Sequence, residues 1–405
     1  MPSHDDLIAA AQGAFTANMR PAPIVFERGK GCRLWDVTGR EYLDLCAGIA
    51  VVSVGHSHPT LVSALQDQCA QLMHVSNLFF NDKVIALAKA LTDRTMFDRV
   101  YFSNSGTEAI EALIKLARRY HHDQGRTERR GFIAAERSFH GRTMGALSLT
   151  GQPKYQVGMG PLLEPVSLVP FGDLNALEAA INPSTAAVIL EPVQAEGGIF
   201  EATPHYLRGV REMCDRHQIL LFLDEVQTGY GRTGKFLASE WSGIIPDGCA
   251  LAKGMGGGFP IGGIAVKEFL KDGLPPGSHA TTFGGNALAA AAGLAVLKIF
   301  DDESILLHVQ KVGAYLGTRL EALRASLPEG VVTEQRGLGL LQGLALHDRV
   351  DAQAALARIR DGGVLLSLAG GQVLRFSPPL VVSEAEIDEG LQVVADVLSR
   401  TRPAE

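Results

Sequence analysis

The chain has 405 residues, 46% hydrophobic and 20% charged, which excludes a disordered or fibrous protein and leaves material for one large core and a smaller companion. A formal net charge of −7, without blocks of Lys or Arg, offers no field for a nucleic-acid backbone. Cys32, Cys46, Cys69, Cys214 and Cys249 form no CxxC pair and leave one thiol over in any pairing, so neither a disulfide framework nor a structural metal is expected.

In chain order, the start MPSHDDLIAAAQ is acidic and lacks the basic region and sustained apolar stretch of a secretory signal, which predicts a cytoplasmic protein. Up to about Leu61 the chain is Gly-punctuated, with strand-like pieces such as CRLWDVTG. His56-Ser57-His58, between Gly55 and Pro59, reads as a turn whose imidazoles satisfy local hydrogen bonds, since no Cys or carboxylate cluster adjoins it in sequence.

From about Arg99 to Lys267 short apolar runs alternate with helical ones. RVYF, GFIAA, AAVIL, ILLFL and CALA predict strands buried on both faces of a mostly parallel sheet. Between the first two, Glu108 to Tyr120 places Ile110, Leu113, Leu116 and Ala117 on one helical face. His121-His122 reads as the end of that helix, favouring its negative pole. Ala287 to Leu297 is the most apolar stretch, but Gly293 breaks it and it is short of the ~18 residues a membrane span needs, so it predicts a buried helix. Beyond about Asp301, QVLRFSPPL predicts a strand and the stretch after Ser383 a helix. The expected division is residues 1–60 packing with a small C-terminal domain, 301–405, around a large α/β domain, 61–300.

In an open parallel sheet, ligands collect beyond the carboxyl ends of the strands, so polar residues directly after apolar runs are informative. AAVIL is followed by Glu191, ILLFL by Asp224 and CALA by Lys253. A desolvated lysine there can lose its proton and attack an aldehyde, forming a Schiff base. An Asp at a nearby strand end can keep a pyridine nitrogen protonated, which makes the ring an electron sink. Taken singly, a solvated lysine and a turn-capping Asp are the commoner uses of these residues. Ser103-Asn104-Ser105-Gly106-Thr107, leading into the amphipathic helix, is either an anion site at a helix N-terminus or a plain cap by Ser105 or Thr107.

Gly229-Tyr230-Gly231-Arg232-Thr233-Gly234 matches GxGxxG, and with Lys235 it nearly completes a Walker A pattern. The context rules against nucleotide binding: Phe236 replaces the Ser or Thr that should reach magnesium, and FLASEW is a poor helix opening.

The same residues lie inside longer motifs that resemble the class III aminotransferases, of the fold type I pyridoxal-phosphate enzymes. The likeness runs through LWDVTGREYLDLCAGIAV, GHSHP, SNSGTEA, FHGRT, EPVQAEGG, LFLDEVQTGYGRTGKF, LAKGMGGGFPIGG, HATTFGGN, RGLGLLQG and LRFSPPL, nearly the whole chain. It implies an α/β fold with a mostly parallel seven-stranded sheet in a large domain and a smaller α+β domain from both chain ends. It also implies pyridoxal 5'-phosphate (PLP) as cofactor and a homodimer with the active site at its interface.

By resemblance, Lys253 is the Schiff-base lysine and Asp224 the partner of the pyridine nitrogen, the two expected catalytic residues. Gln227 resembles the residue that bonds the ring hydroxyl oxygen, and Phe139 the side chain stacked on the ring. Gly106 and Thr107 resemble phosphate binders, with Ser105 and Glu191 completing the expected cofactor contacts, and Thr282 a phosphate ligand donated across the dimer interface. Arg142 resembles the substrate-carboxylate arginine, a role suited to a bidentate fork. Arg375 resembles a second carboxylate arginine, and Glu196 the glutamate that neutralises it when the amino donor offers one carboxylate. Thr281 joins the expected substrate contacts, and no metal is expected.

Within the family the likeness is greatest to the branch acting on N-acetylornithine and related acylated diamino acids, with 2-oxoglutarate as acceptor, glutamate as product and a place in arginine biosynthesis. Ile49 stands where ornithine-specific relatives carry a tyrosine that helps hold a free α-amino group, which favours an acylated amine. The alternatives are succinylornithine, succinyl-diaminopimelate or 4-aminobutyrate as donor, a glutamate-semialdehyde aminomutase, or an inactive relative serving as a binding protein.

Overall fold

The computed structural model describes residues 3–401, so Met1, Pro2 and residues 402–405, which belong to the expected terminal segments, lie outside the described residues. Strands β1 (Phe26–Lys30), β2 (Arg33–Asp36) and β3 (Glu41–Asp44) form an antiparallel meander. CRLWDVTG therefore is a strand and its turn. The Asp36 carboxylate accepts from Thr38 N, Thr38 Oγ1 and Arg40 N, which closes the β2–β3 connection.

The middle of the chain supplies β4 (Arg99–Ser103), β5 (Gly131–Ala135), β6 (Val166–Val169) and β7 (Thr185–Leu190), then a short ribbon of β8 (Val193–Gln194) and β9 (Phe200–Glu201), then β10 (Leu220–Asp224), β11 (Gly248–Leu251) and β12 (Gly262–Val266). Seven of them make one sheet in the order β4-β12-β11-β10-β7-β5-β6. It is α/β and mainly parallel; β12 alone runs antiparallel to both neighbours. The five anticipated strands are present, and β5, β7, β10 and β11 are buried throughout, as continuous apolar runs demand. Strands β6 and β12 were not anticipated: VSLV is short and partly exposed, and GGIAV opens on two glycines.

The helix after β4 begins at Gly106 and runs to Asp123, with Ile110, Leu113, Leu116 and Ala117 all buried. The reading of His121 as a helix-end cation is corrected. Its side chain is buried and its Nε2 lies 2.9 Å from Ala186 O on β7. Burial pushes its pKa down to about 4, so it is a neutral core group and brings no charge to the helix pole.

The last third of the chain gives β13 (Val332–Leu338), β14 (Leu341–Leu346), β15 (Val364–Leu365), β16 (Ser367–Ala369) and β17 (Val373–Phe376). One sheet has the order β13-β14-β17-β16, while β15 pairs in parallel with β3, so both ends of the chain share a sheet. The apolar stretch is the helix Ala287–Asp302, buried on nearly every face, and no helix among the described residues is long and apolar enough to cross a membrane. Ser383 caps the helix Glu384–Ser399 through a reciprocal bond with Glu386. His58 caps the helix Pro59–Gln71 by accepting from Thr60 N, and His56 Nε2 lies 2.7 Å from Asp44 Oδ2. The Gly229–Gly234 segment is a series of turns in which Arg232 donates to Leu340 O and Pro378 O, and it does not open a helix.

Candidate active site

The carboxyl ends of β7, β10 and β11 converge on a cavity of about 410 Å³. Glu191, Asp224 and Lys253 line it: Glu191 directly after β7, Asp224 at the end of β10, and Lys253 one residue beyond β11 after Ala252. The loop after β5 adds Phe139 and Arg142, the helix start adds Ser105, Gly106 and Thr107, and Gln227 enters from the turn after β10.

Lys253 opens a tight turn with φ of +42°, in the left-handed region, a strain of order 1 kcal/mol or more for a residue with a Cβ. The turn brings its amine into the cavity. Burial lowers its pKa to about 8; Glu196 opposes that shift and Arg375 adds to it. About a tenth of the amine is therefore unprotonated at pH 7, far more than for a solvated lysine, as a nucleophile or proton carrier requires.

The two strand-end carboxylates are not equivalent. Glu191 is pushed well above the usual range, first by burial and then by Asp224, although Phe139 N donates to its Oε2 at 3.1 Å. The shift favours its protonated form. Asp224 receives Val226 N on Oδ1 and pairs through Oδ2 with His140 Nδ1 at 2.8 Å. His140 is buried and its Nε2 has no hydrogen-bond partner among the described residues. Sequence reasoning missed His140, although it sits inside FHGRT next to Phe139.

At the helix start, Ser105 Oγ is the N-cap, accepting from Glu108 N at 3.3 Å, while Glu108 Oε2 accepts from Asn104 N. Ser105 thus caps the helix and also lines the cavity. Thr107 does something else: its Oγ1 accepts from Thr143 N and Arg142 N and lies 2.8 Å from Thr143 Oγ1. Glu111, also missed, anchors that loop by accepting from Thr143 Oγ1 and Gly145 N. A Cβ at Gly106 would stand 2.7 Å from Val226 Cγ1, so only glycine lets the first helical turn approach the strand ends this closely. Its free amides face a cavity wall where an anion is favoured.

Arg142 is exposed, with its guanidinium 3.9 Å over the Tyr155 ring and 5.5 Å from that of Phe139. Tyr155 was also missed. Arg375 is fully buried: Nη1 is 2.5 Å from Glu196 Oε1 and also donates to Gln227 Oε1 and Ala195 O, and Nε donates to Ser367 Oγ. Burial would raise the Glu196 pKa, but Arg375, then Lys253, hold it below the usual range. Gln227 Nε2 reaches Glu196 at 3.4 Å and so links this pair to the cavity.

Some expected residues do not line the cavity. Glu196 and Arg375 lie behind Gln227, and Thr281 is on the rim, where Asn104 Nδ2 donates to its Oγ1 at 2.9 Å. Thr282 is exposed, as is Ile49, which lies in a left-handed turn whose neighbour Val51 reaches the wall. The residues present suit an aromatic aldehyde bearing a phosphate: a buried amine of lowered pKa, a carboxylate for a ring nitrogen, a phenyl ring and free helix amides share one cavity.

Comparison with known proteins agrees. The family described as Aminotransferase class-III matches residues 14–398. An acetylornithine aminotransferase of Caldanaerobacter subterraneus is 48% identical over 380 residues, 94% of this chain and 96% of that protein. A succinylornithine transaminase/acetylornithine aminotransferase of Pseudomonas aeruginosa is 44% identical, covering 93% of this chain and 92% of its own. The solved ornithine aminotransferase of Toxoplasma gondii, described with partial occupancy of PLP at its active site, superposes with a TM-score of 0.93 at 31% identity, over 98% of this chain and 94% of that one.

Proposed function

The chain belongs to the class III aminotransferases, which are PLP-dependent, and from that premise we propose that it moves the terminal amino group of N-acetylornithine, or a close acyl analogue, to 2-oxoglutarate. Glutamate and an acylated semialdehyde are the products. The observation that carries the reading is the buried Arg375–Glu196 pair behind the cavity, with Arg142 paired to no carboxylate among the described residues. A donor with one carboxylate takes Arg142 and leaves the pair closed, whereas glutamate needs both arginines and displaces Glu196.

When bound, PLP supplies the electron sink that stabilises charge at the substrate's reacting carbon. In this reading Lys253 would carry the cofactor, and its freed Nζ would take the proton from the substrate carbon and deliver it to the carbon that was the cofactor's aldehyde. Asp224 would keep a proton on the ring nitrogen, with His140 orienting Asp224. Phe139, Glu191 and Gln227, which line the cavity, would hold the ring. The helix amides at Gly106 and Thr107 would hold the phosphate.

The active unit is a homodimer. Leu78, Phe79 and Phe80 are 83%, 70% and 90% exposed, too large an apolar run to leave in water. Asn77 Nδ2 donates to Thr281 O at 2.6 Å, which ties this run to the Thr281-Thr282 loop. A second copy covering it would bring the partner subunit's Thr282 to the phosphate. Residues 61–300 form the cofactor-binding domain and 301–405 with 1–60 the smaller one, a division supported by the β3–β15 pairing.

A panel of N-acetylornithine, N-succinylornithine, ornithine and 4-aminobutyrate with 2-oxoglutarate, read as glutamate formed, tests the substrate. Acylated ornithines should lead. Preference for free ornithine, or turnover without glutamate release, would overturn the reading.

A further inference from the structure

A second cleft, of about 490 Å³, opens between the β8–β9 ribbon and the strands β13 and β17, lined by Arg137, Lys154 and Arg336 with Asp348 as the carboxylate among its described lining residues. Two of its cations are organised around one ring. Arg336 Cζ lies 4.2 Å and Arg137 Cζ 5.1 Å from the centroid of Phe200. Lys154 rests its amine 4.8 Å from the Tyr155 ring. Arg336 touches Glu334 at 3.3 Å, yet its Nε and Nη1 are buried without a hydrogen-bond partner among the described residues. Burial pushes the Arg336 pKa down, Glu334 opposes this, and Arg137 adds to it. Two guanidinium groups on one apolar plate, one of them under-compensated, carry a cost that a bound anion relieves.

The floor of the cleft is continuous with the pair behind the active site. A Cβ at Gly197 would stand 2.5 Å from Arg137 O, so the residue after Glu196 must be glycine for the walls to meet. Gly370 N donates to Glu196 O at 2.9 Å. The Glu196 side chain faces Arg375 while its carbonyl and the glycines after it build the cleft.

We propose that this cleft is a second anion site, separate from the substrate pocket, which takes a small di- or trianion of carboxylate or phosphoryl groups through the forks of Arg137 and Arg336 and the amine of Lys154. The test is calorimetric titration of the PLP-loaded enzyme with citrate and, separately, with pyrophosphate. At least one should bind saturably, once per chain, with a dissociation constant below about 1 mM. Citrate binding would identify carboxylates as the ligand, and binding of pyrophosphate alone would identify phosphoryl groups. Affinity should fall at least tenfold in Arg336→Met and in Arg137→Met/Lys154→Met, and should be kept in Arg142→Ala and Arg375→Ala. The double variant alters two exposed side chains, so the test survives if Arg336→Met fails to fold. Saturable binding of neither anion, or unchanged affinity in the double variant, would overturn the proposal. So would loss of binding in Arg142→Ala or Arg375→Ala, which would assign the anion to the substrate pocket.

Discussion

Glu196→Ala strips Arg375 of its counter-charge, and the structure sets the size of the effect. The Arg375 side chain is 1% exposed and Glu196 20%, with 2.5 Å between Nη1 and Oε1. Removing one partner of a buried, hydrogen-bonded charge pair costs about 2–5 kcal/mol. The lower end applies here, about 2–3 kcal/mol, because Ser367 Oγ, Ala195 O and Gln227 Oε1 still accept from the guanidinium. On the proposed reading, the substrate's second carboxylate replaces Glu196 in the glutamate half-reaction and recovers that cost. In the acyl-ornithine half-reaction nothing does. The ratio of kcat/KM for the two halves should therefore shift toward glutamate by about 30- to 150-fold. Arg375→Ala should do the reverse, slowing the glutamate half by a similar factor while the acyl-ornithine half loses less. Rapid mixing of the loaded enzyme with each substrate, followed by cofactor absorbance, measures both. Equal losses in the two halves for either variant would refute the reasoning.

Lys253→Ala should still retain PLP, since ring and phosphate contacts come from other residues, yet lose turnover by at least about a thousandfold; near-normal turnover would remove Lys253 from its role. Because burial holds the Lys253 amine at about 8, capture of PLP by apoenzyme should quicken as pH rises through that value, and Glu196→Gln, which deletes a raising charge, should move the inflection to lower pH. A profile still rising toward 10 would contradict this. Asp224→Ala should slow single turnovers far more than it weakens PLP binding, with His140→Ala showing a milder form of the same defect; unchanged single-turnover rates in both would count against the Asp224–His140 unit. His121, held at about 4 when folded against about 6.5 unfolded, binds fewer protons in the native state, so stability should be lost as pH falls from about 6.5 to 4. The loss should be on the order of 3 kcal/mol, and urea midpoints of His121→Gln that fall just as steeply over that window would disprove it.

Much of the fold and site is legible in local sequence because buried parallel strands are written as unbroken apolar runs. Such runs end where the chain meets polar residues, which is why Glu191, Asp224 and Lys253 can be picked out, and why the helix face of Ile110 and Leu113 is visible from its spacing. Strand β12 escapes that logic: its two glycines depress the apolar signal, and its antiparallel direction depends on neighbours β11 and β4. Partnerships between distant segments are decided only by the tertiary structure. His140 meets Asp224 across 84 residues and Arg375 meets Glu196 across 179, distances over which no periodicity carries information. Burial is likewise collective: the sequence shows His121 as a titratable side chain at the end of a helical pattern, and only the packing of that helix on β7 makes it neutral. The same holds for Lys253, whose lowered pKa comes from desolvation and from charges brought in by separate parts of the chain.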